Sequence, residues 1–406
     1  MYKITKLGLG ATFLSLCSFL SHAYEMGVQP SDFIDPNLAH VHFDFEKNHE
    51  KMTALSIYCL ENENKLSDNL KDKHKVCSKR SVDNEDLDKF ITSKINSEDV
   101  SSYVPLLEHV RWPDDPTRML FNKRSMAKFG ALIKGVPPAS YGSCHNRAEE
   151  GTFSITVDGL LCNSHYGRLQ FFHAMAEKNG EPALTTRAKI EEWLKFTYLV
   201  ATGGQREDEN YCVFWKDNKD FPNLSMIMYE NSFIENGWCE DRGKWRKFVP
   251  FIHPFPAWNV GTTFNLICEG PIISKSCDFY STNPDTTKLI ALGAILHLIQ
   301  DSYSNSHTNR GNSKPEAKVL CNPITAFNSY TDQDSKKHTI SDKWPAFDSG
   351  CNQIGTIDPI TASTLAIWYV HNNRPVGEFE TFIAHVFGNP PSVESKAGTG
   401  QGYERN

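Results

Sequence analysis

The chain has 406 residues, enough for one large domain or two ordinary ones, and its 39% hydrophobic and 12% aromatic content can fill a sizeable core. A formal net charge of −7 lacks the basic surplus expected of a double-stranded DNA binder, although it leaves room for a nuclease with a local basic groove.

The N-terminus has the pattern of a secretory signal. Lys3 and Lys6 form a charged start, Leu7 to Leu20 is an apolar run too short to span a bilayer comfortably, and Ser21-His22-Ala23 puts small residues at −3 and −1. Cleavage is expected before Tyr24, giving a signal peptide over 1–23 and an exported, extracellular or periplasmic protein. Cys17 raises a lipoprotein alternative, but Leu16 before it is too large for that processing. Removing Lys3 and Lys6 and no acid takes the charge from −7 to −9. No other segment reaches the ~20 apolar residues of a membrane span. Of eleven cysteines, Cys17 lies in the signal and ten remain. An even number in an exported chain, without a CxxC pair, favours disulfides over thiolate metal sites. Sequential pairing (Cys59–Cys77, Cys144–Cys162, Cys212–Cys239, Cys268–Cys277, Cys321–Cys351) is the simplest of many connectivities.

Helical spacing of Met52, Leu55 and Cys59 after a capping Asn48 predicts a helix over 48–60. Residues 101–118 end in a Pro- and Asp-rich loop. Further helices are expected over 166–180, closed by Asn179-Gly180, and over 185–204, capped by Thr185 and stopped by Gly203-Gly204. The stretch 205–283 is rich in Asn, Trp, Phe and Pro and holds four cysteines. Without a sustained helical period, it reads as a loop-rich or short-stranded, disulfide-containing insertion. Asn283 and Pro284 suit the start of the strongest helix, 283–304, on which Leu289, Leu292, Leu296 and Ile299 form one apolar stripe. A second stripe holds Ile290, Ala294, His297 and Asp301, so this helix is expected to be largely buried. Residues 308–358 read as polar turns and 361–373 as another helix, and the Gly- and Ser-rich end from about Pro390 is expected to fray. The expected organisation is a mainly all-α domain over 24–375, carrying the 205–283 insertion, and a C-terminal extension over 376–406 with a disordered end.

His297 and Asp301 are four residues apart and share a helix face. Burying both without a partner costs several kcal/mol (of the order of 2–7 for even an uncharged polar group), and a divalent metal is one such partner. A hydrogen-bonded His–Asp pair in a helical core is the alternative. His307 returns from the chain just beyond the helix end.

HxxxDxxxxxH, within AILHLIQDSYSNSHT, resembles the central motif of the zinc-dependent phospholipase C and S1/P1 nuclease superfamily. It looks closest to the secreted bacterial phospholipase C branch of pseudomonads and legionellae. The resemblance implies a helical fold with three zinc ions. His297 and Asp301 then bind one zinc, Asp301 bridges to a second and His307 binds a third. Patchy matches in order from about 48 to 373 extend it. HEKMTALSI offers His49 as an early ligand. RWPDDP offers Asp114 as ligand and possible base, with Asp115 the runner-up. CNSHYGRLQFFHAMA offers His165, with His173 read as packed on the helix. HTISD offers His338 and Asp342 for the third zinc, although they lie further from His307 than in short family members. The mature N-terminal residue, a zinc ligand in several members, would be Tyr24, too far from His49 for the family spacing. His40 or His42 are substitutes.

The implied reaction is hydrolysis of a glycerophospholipid, with phosphatidylcholine the expected substrate, to diacylglycerol and a phosphorylated head group. Zinc-activated hydroxide attacks phosphorus while the other metals neutralise charge. Its partner is a phospholipid surface, with no stable nucleic-acid partner and no transmembrane anchor. Phe214, Trp215, Trp238, Phe255 and Trp258 would either meet that surface or form an aromatic subdomain core. A single-strand nuclease shares the metal site and needs base-stacking aromatics. A non-catalytic binding protein with structural zinc is disfavoured because such sites are rich in Cys. A serine hydrolase would typically carry G-x-S-x-G, which is absent.

Overall fold

The computed structural model describes residues 48–62, 104–114, 116, 160–205, 207–230, 259–269, 276–279, 284–311, 322–334, 337–338 and 357–405. Among these residues the helices are α1 (Asn48–Asn62), α2 (Val104–His109), α3 (Leu160–Tyr166), α4 (Ala183–Thr202), α5 (Tyr211–Trp215), α6 (Pro222–Glu230), α7 (Pro284–Asp301), α8 (Pro359–His371) and α9 (Val376–Phe387). Two antiparallel two-stranded sheets pair β1 (Leu266–Glu269) with β2 (Ser276–Phe279), and β3 (Thr308–Arg310) with β4 (Ile324–Phe327).

The fold is organised around α7. It packs on α4, α2, α8 and α1, while α1 lies along α8 and α9 covers α4. From Ile290 to Asp301 every residue of α7 is buried. Such a helix needs partners on all sides, and the surrounding helices supply them through Ile190, Trp193, Leu194, Leu106, Leu107 and Leu365. Gly293 admits α2. A Cβ there would sit 2.3 Å from the carbonyl oxygen of His109 and 2.8 Å from the nitrogen of Val110.

Several expectations are corrected. The expected all-α class gives way to a mainly helical fold with two small sheets. The 205–283 stretch, expected to be loop-rich or short-stranded, does hold the short strands β1 and β2 where it is described, but it also holds the helices α5 and α6. Asn210 caps α5 by accepting from the Val213 amide, but helices of five and nine residues are too short for a period to be legible. Phe214 and Trp215 are core residues packed on Phe196 and Phe221, not surface anchors; Trp238, Phe255 and Trp258 lie outside the described residues. No disulfide joins two described residues, and Cys77 and Cys239, the expected partners of Cys59 and Cys212, lie outside that set, so the sequential pairing finds no support among the described residues. The sulfurs of Cys59 and Cys212 are bonded outside the described set, and the backbone register sets Cys268 opposite Cys277.

The single helix expected over 166–180 is instead α3, then a 3-10 turn at Gln170–His173, ended by Ala174 in the left-handed region at φ 54°. Helix α4 begins at Ala183 after Pro182, two residues before the expected Thr185 cap, and ends at Gly203 with φ 72°. Helix α9 falls in the expected C-terminal extension, buried through Phe379, Phe382, Ile383 and Val386. The end beyond Pro390 does not fray: the amide of Ala397 donates to Glu181, and bridges tie Gly398 to Asn328 and Glu404 to Gln333. The signal segment, Tyr24, His40, His42, Asp115 and Asp342 lie outside the described residues.

Candidate metal centre

The last turn of α7 and the segments packed on it bring His49, Asp114, His165, His173, His297, Asp301 and His307 together. All but His165 are at most 4% exposed, and the His165 side chain is 9% exposed. Asp301 is the hub. Its Oδ2 lies 3.1 Å from His297 Nε2 and 3.0 Å from His173 Nδ1, and its Oδ1 lies 3.3 Å from His49 Nε2. Asp114 stands across from it. Its Oδ1 lies 3.6 Å from His297 Nε2 and 3.9 Å from both His165 Nε2 and His173 Nδ1.

His297 and Asp301 both stand on α7, and the groups that meet them arrive from other elements. His49 comes from the first turn of α1, and its ring stacks on His297 at 3.8 Å. Asp114 follows α2 in a turn whose amide donates to the Arg111 carbonyl, with Trp112 anchored among Phe172, Trp193 and Phe264. His165 is on α3. His173 closes the 3-10 turn, and the left-handed Ala174 turns the chain there.

Most of these imidazoles are fixed through Nδ1. His49 Nδ1 donates to Gln300 Oε1 at 2.7 Å, His297 Nδ1 to the Val110 carbonyl at 2.9 Å and His307 Nδ1 to the His173 carbonyl at 2.5 Å. His165 Nδ1 is 3.0 Å from the Ser164 hydroxyl. An Nδ1–H held by a neighbouring acceptor leaves Nε2 as the basic atom, the usual orientation of metal-binding histidines. His173 is reversed. Its Nδ1 faces Asp301, and its buried Nε2 has no hydrogen-bond partner.

The electrostatics favour a cation. Burial opposes ionisation of Asp301, but His297 and His307 overcome that and hold its pKa well below the usual carboxylate value. Burial keeps His173 and His297 neutral, each pushed down to about 4. Burial also opposes the His49 cation, but the hydrogen bond and charge of Asp301 prevail and raise its pKa. Neutral His173 and His297 and ionised Asp301 are thus in the protonation states of metal ligands, whereas a protonated His49 would have to release its proton to bind a metal.

Three overlapping triads can each hold a metal ion: His49, Asp114 and His297; Asp114, His165 and His173; His173, His297 and Asp301. Within each, one ligand atom per residue lies within 4.8 Å of the others. Asp114, His173 and His297 each occur twice, so the triads form one connected cluster, consistent with a multi-metal site, rather than three separate sites. The donor set is His and carboxylate without Cys, as zinc hydrolases use.

Of the expected residues, His49, Asp114, His165, His297, Asp301 and His307 meet here. His338 lies at the edge, its ring 5.0 Å from that of His307. His173, expected to pack on the helix, stands in two of the triads. Its signal was another imidazole eight residues after His165, but a helix drawn through both would have pointed them differently. A small concavity opens beside the centre between His165, His173, Met175, His307, Tyr330 and His338. The chain matches no family profile, no curated protein and no solved structure. Fold and site therefore define a class, a mainly helical protein with a buried His/Asp metal centre consistent with a zinc-binding hydrolase.

Proposed function

We propose that the protein is a zinc-dependent phosphodiester hydrolase and, more narrowly, an exported phospholipase C that cleaves phosphatidylcholine. The observation that supports this most is the overlap of three buried triads, which share Asp114, His173 and His297 and include Asp301, beside a small concavity. A structural site is normally closed and separate, whereas phosphoester hydrolysis uses metals set close together with room for substrate. Asp301, Asp114, His49, His165, His173 and His297 would hold two zinc ions. His307 and His338, with Asp342, would hold the third. Zinc bound there supplies Lewis acidity for attack of water on phosphorus. Asp114, facing the concavity side of the cluster through His165 and His173, orients the attacking water and takes its proton.

A single-strand nuclease is the second reading. Tyr330 lines the concavity with its ring 4.7 Å from His338 and 5.2 Å from Tyr166, a surface on which a base could stack. The net charge of −7 favours the lipid substrate over a polyanion.

The test is metal content by mass spectrometry, with phosphocholine release measured before and after chelation. The reading expects about three zinc ions per chain and chelator-sensitive release that Asp301→Ala abolishes. Zinc without lipid hydrolysis, but with cleavage of single-stranded DNA, would favour the nuclease. A folded chain that takes up no zinc would overturn both.

A further inference from the structure

Gln333 is 1% exposed and makes three side-chain contacts. Its Nε2 donates to the Ser306 carbonyl at 2.7 Å and to the Thr399 carbonyl at 2.6 Å. Two carbonyl acceptors on one amide nitrogen fix the orientation of the group, because the oxygen could not take that place. Oε1 must then face His338, whose Nδ1 is 2.5 Å away. An amide oxygen only accepts, so His338 Nδ1 carries a proton, and the neutral form of this imidazole is the Nδ1–H tautomer with its lone pair on Nε2.

The same amide joins three separate segments. Ser306 precedes His307, His338 stands beside His307, and Thr399 belongs to the C-terminal strap. The strap is held independently along its length. The amides of Ser329 and Asp334 donate to the carbonyls of Gly398 and Tyr403, and Arg405 Nε donates to the Gln333 carbonyl at 3.2 Å. Gly400, at φ 82°, lies so close to Asn328 that a Cβ would come within 2.5 Å of its Nδ2.

We propose that Gln333 is a positioning residue for the His307–His338 arm, and that the strap from Lys396 to Arg405 sets it, presenting Nε2 of His338 as a preformed ligand atom. This rests on the metal-centre reading given above. The chemistry explains why a buried amide, rather than an apolar residue, occupies 333. An apolar side chain would leave two carbonyls and one imidazole N–H without these contacts, whereas one amide satisfies all three. The strap thereby couples a segment some sixty residues distant in sequence to one histidine tautomer.

The experiment uses full-length, metal-free protein and two variants, Gln333→Leu and Gly400→Ala, with folding verified by circular dichroism. Long-range ¹⁵N NMR, with the His338 signal assigned by its loss in His338→Gln, reads the tautomer directly. The wild type is expected to show the Nδ1–H form alone and Gln333→Leu a mixture. Gly400→Ala, which displaces Thr399 without touching the imidazole, should shift the population in the same direction. Equilibrium dialysis with zinc should then show the weakest-binding ion lost first, with affinity reduced about 10- to 100-fold. A wild-type Nε2–H tautomer would overturn the proposal, as would an unchanged tautomer and zinc affinity in both variants. If the wild type binds no zinc, the metal reading fails, while the NMR result still decides whether strap and Gln333 set the tautomer. Where Gln333→Leu fails to fold, Gly400→Ala carries the same comparison.

Discussion

At the scale of the residue, His173 carries more than its sequence context suggested. It touches Asp301 and approaches Asp114, so it joins the two carboxylates. His173→Ala is expected to remove at least one zinc per chain, measured by mass spectrometry on folded protein, with a larger loss than His165→Ala because His173 stands in two of the triads and His165 in one. Protonation gives a second prediction, for the chelated protein. His173 and His297 titrate near 4 when folded and near 6.5 when unfolded. Between those values the unfolded chain binds protons that the folded chain does not, so stability falls as pH drops from 6.5 to 4. His49 has a raised pKa and is protonated in both states over that window, so it contributes its slope only above 6.5. Asp301 contributes below its ordinary 3.8. Urea midpoints of chelated protein should decline across this window, and the decline should be reduced in His173→Ala.

At the scale of the element, the centre depends on how closely α2 approaches α7. Gly293 lies one turn before His297, and its missing side chain lets the Val110 carbonyl reach His297 Nδ1. Gly293→Ala should push α2 outward at a cost of about 1–3 kcal/mol by overpacking. It should also weaken zinc binding, because Asp114 follows α2. Denaturation midpoints and zinc titration read the two effects separately. Helix α9 provides the contrast. Its Phe382 stacks on Tyr369 of α8 at 5.0 Å, far from any proposed ligand in sequence. Phe382→Ala should cost about 3–5 kcal/mol with zinc stoichiometry unchanged in the folded fraction. The α9 stripe of Phe379, Phe382, Ile383 and Val386 follows an i, i+3, i+4, i+7 spacing that is legible in the sequence. The break after α3 was less legible, because a left-handed alanine has no composition signal.

At the scale of the whole molecule, the metal centre is the meeting point of α1, α2, α3, α7 and the following chain, so zinc should act as a clamp on the fold. A ligand that binds only the native state stabilises by ~2.7 kcal/mol at a hundredfold excess over its Kd. Chelation should lower Tm by several degrees in calorimetry, and zinc should restore it, with the smallest recovery in His173→Ala. Among the described residues no helix is long and apolar enough to cross a membrane. The sequence by itself determined the strongest local features. Apolar residues on adjacent stripes required α7 to be buried, and the four-residue spacing of His297 and Asp301 put a histidine and a carboxylate on one face of it. Those are properties of helical geometry, which any stretch of the chain carries within itself. The partners that complete the centre were decided only by tertiary structure. His49 lies 252 residues before Asp301 and His173 lies 128 before it. Their convergence depends on the close passage at Gly293, the turn at Ala174 and the packing of α1 on α8. The C-terminal strap shows the same division: its glycine-rich composition reads as loose chain. Its order comes from backbone hydrogen bonds to segments distant in sequence, which composition does not record.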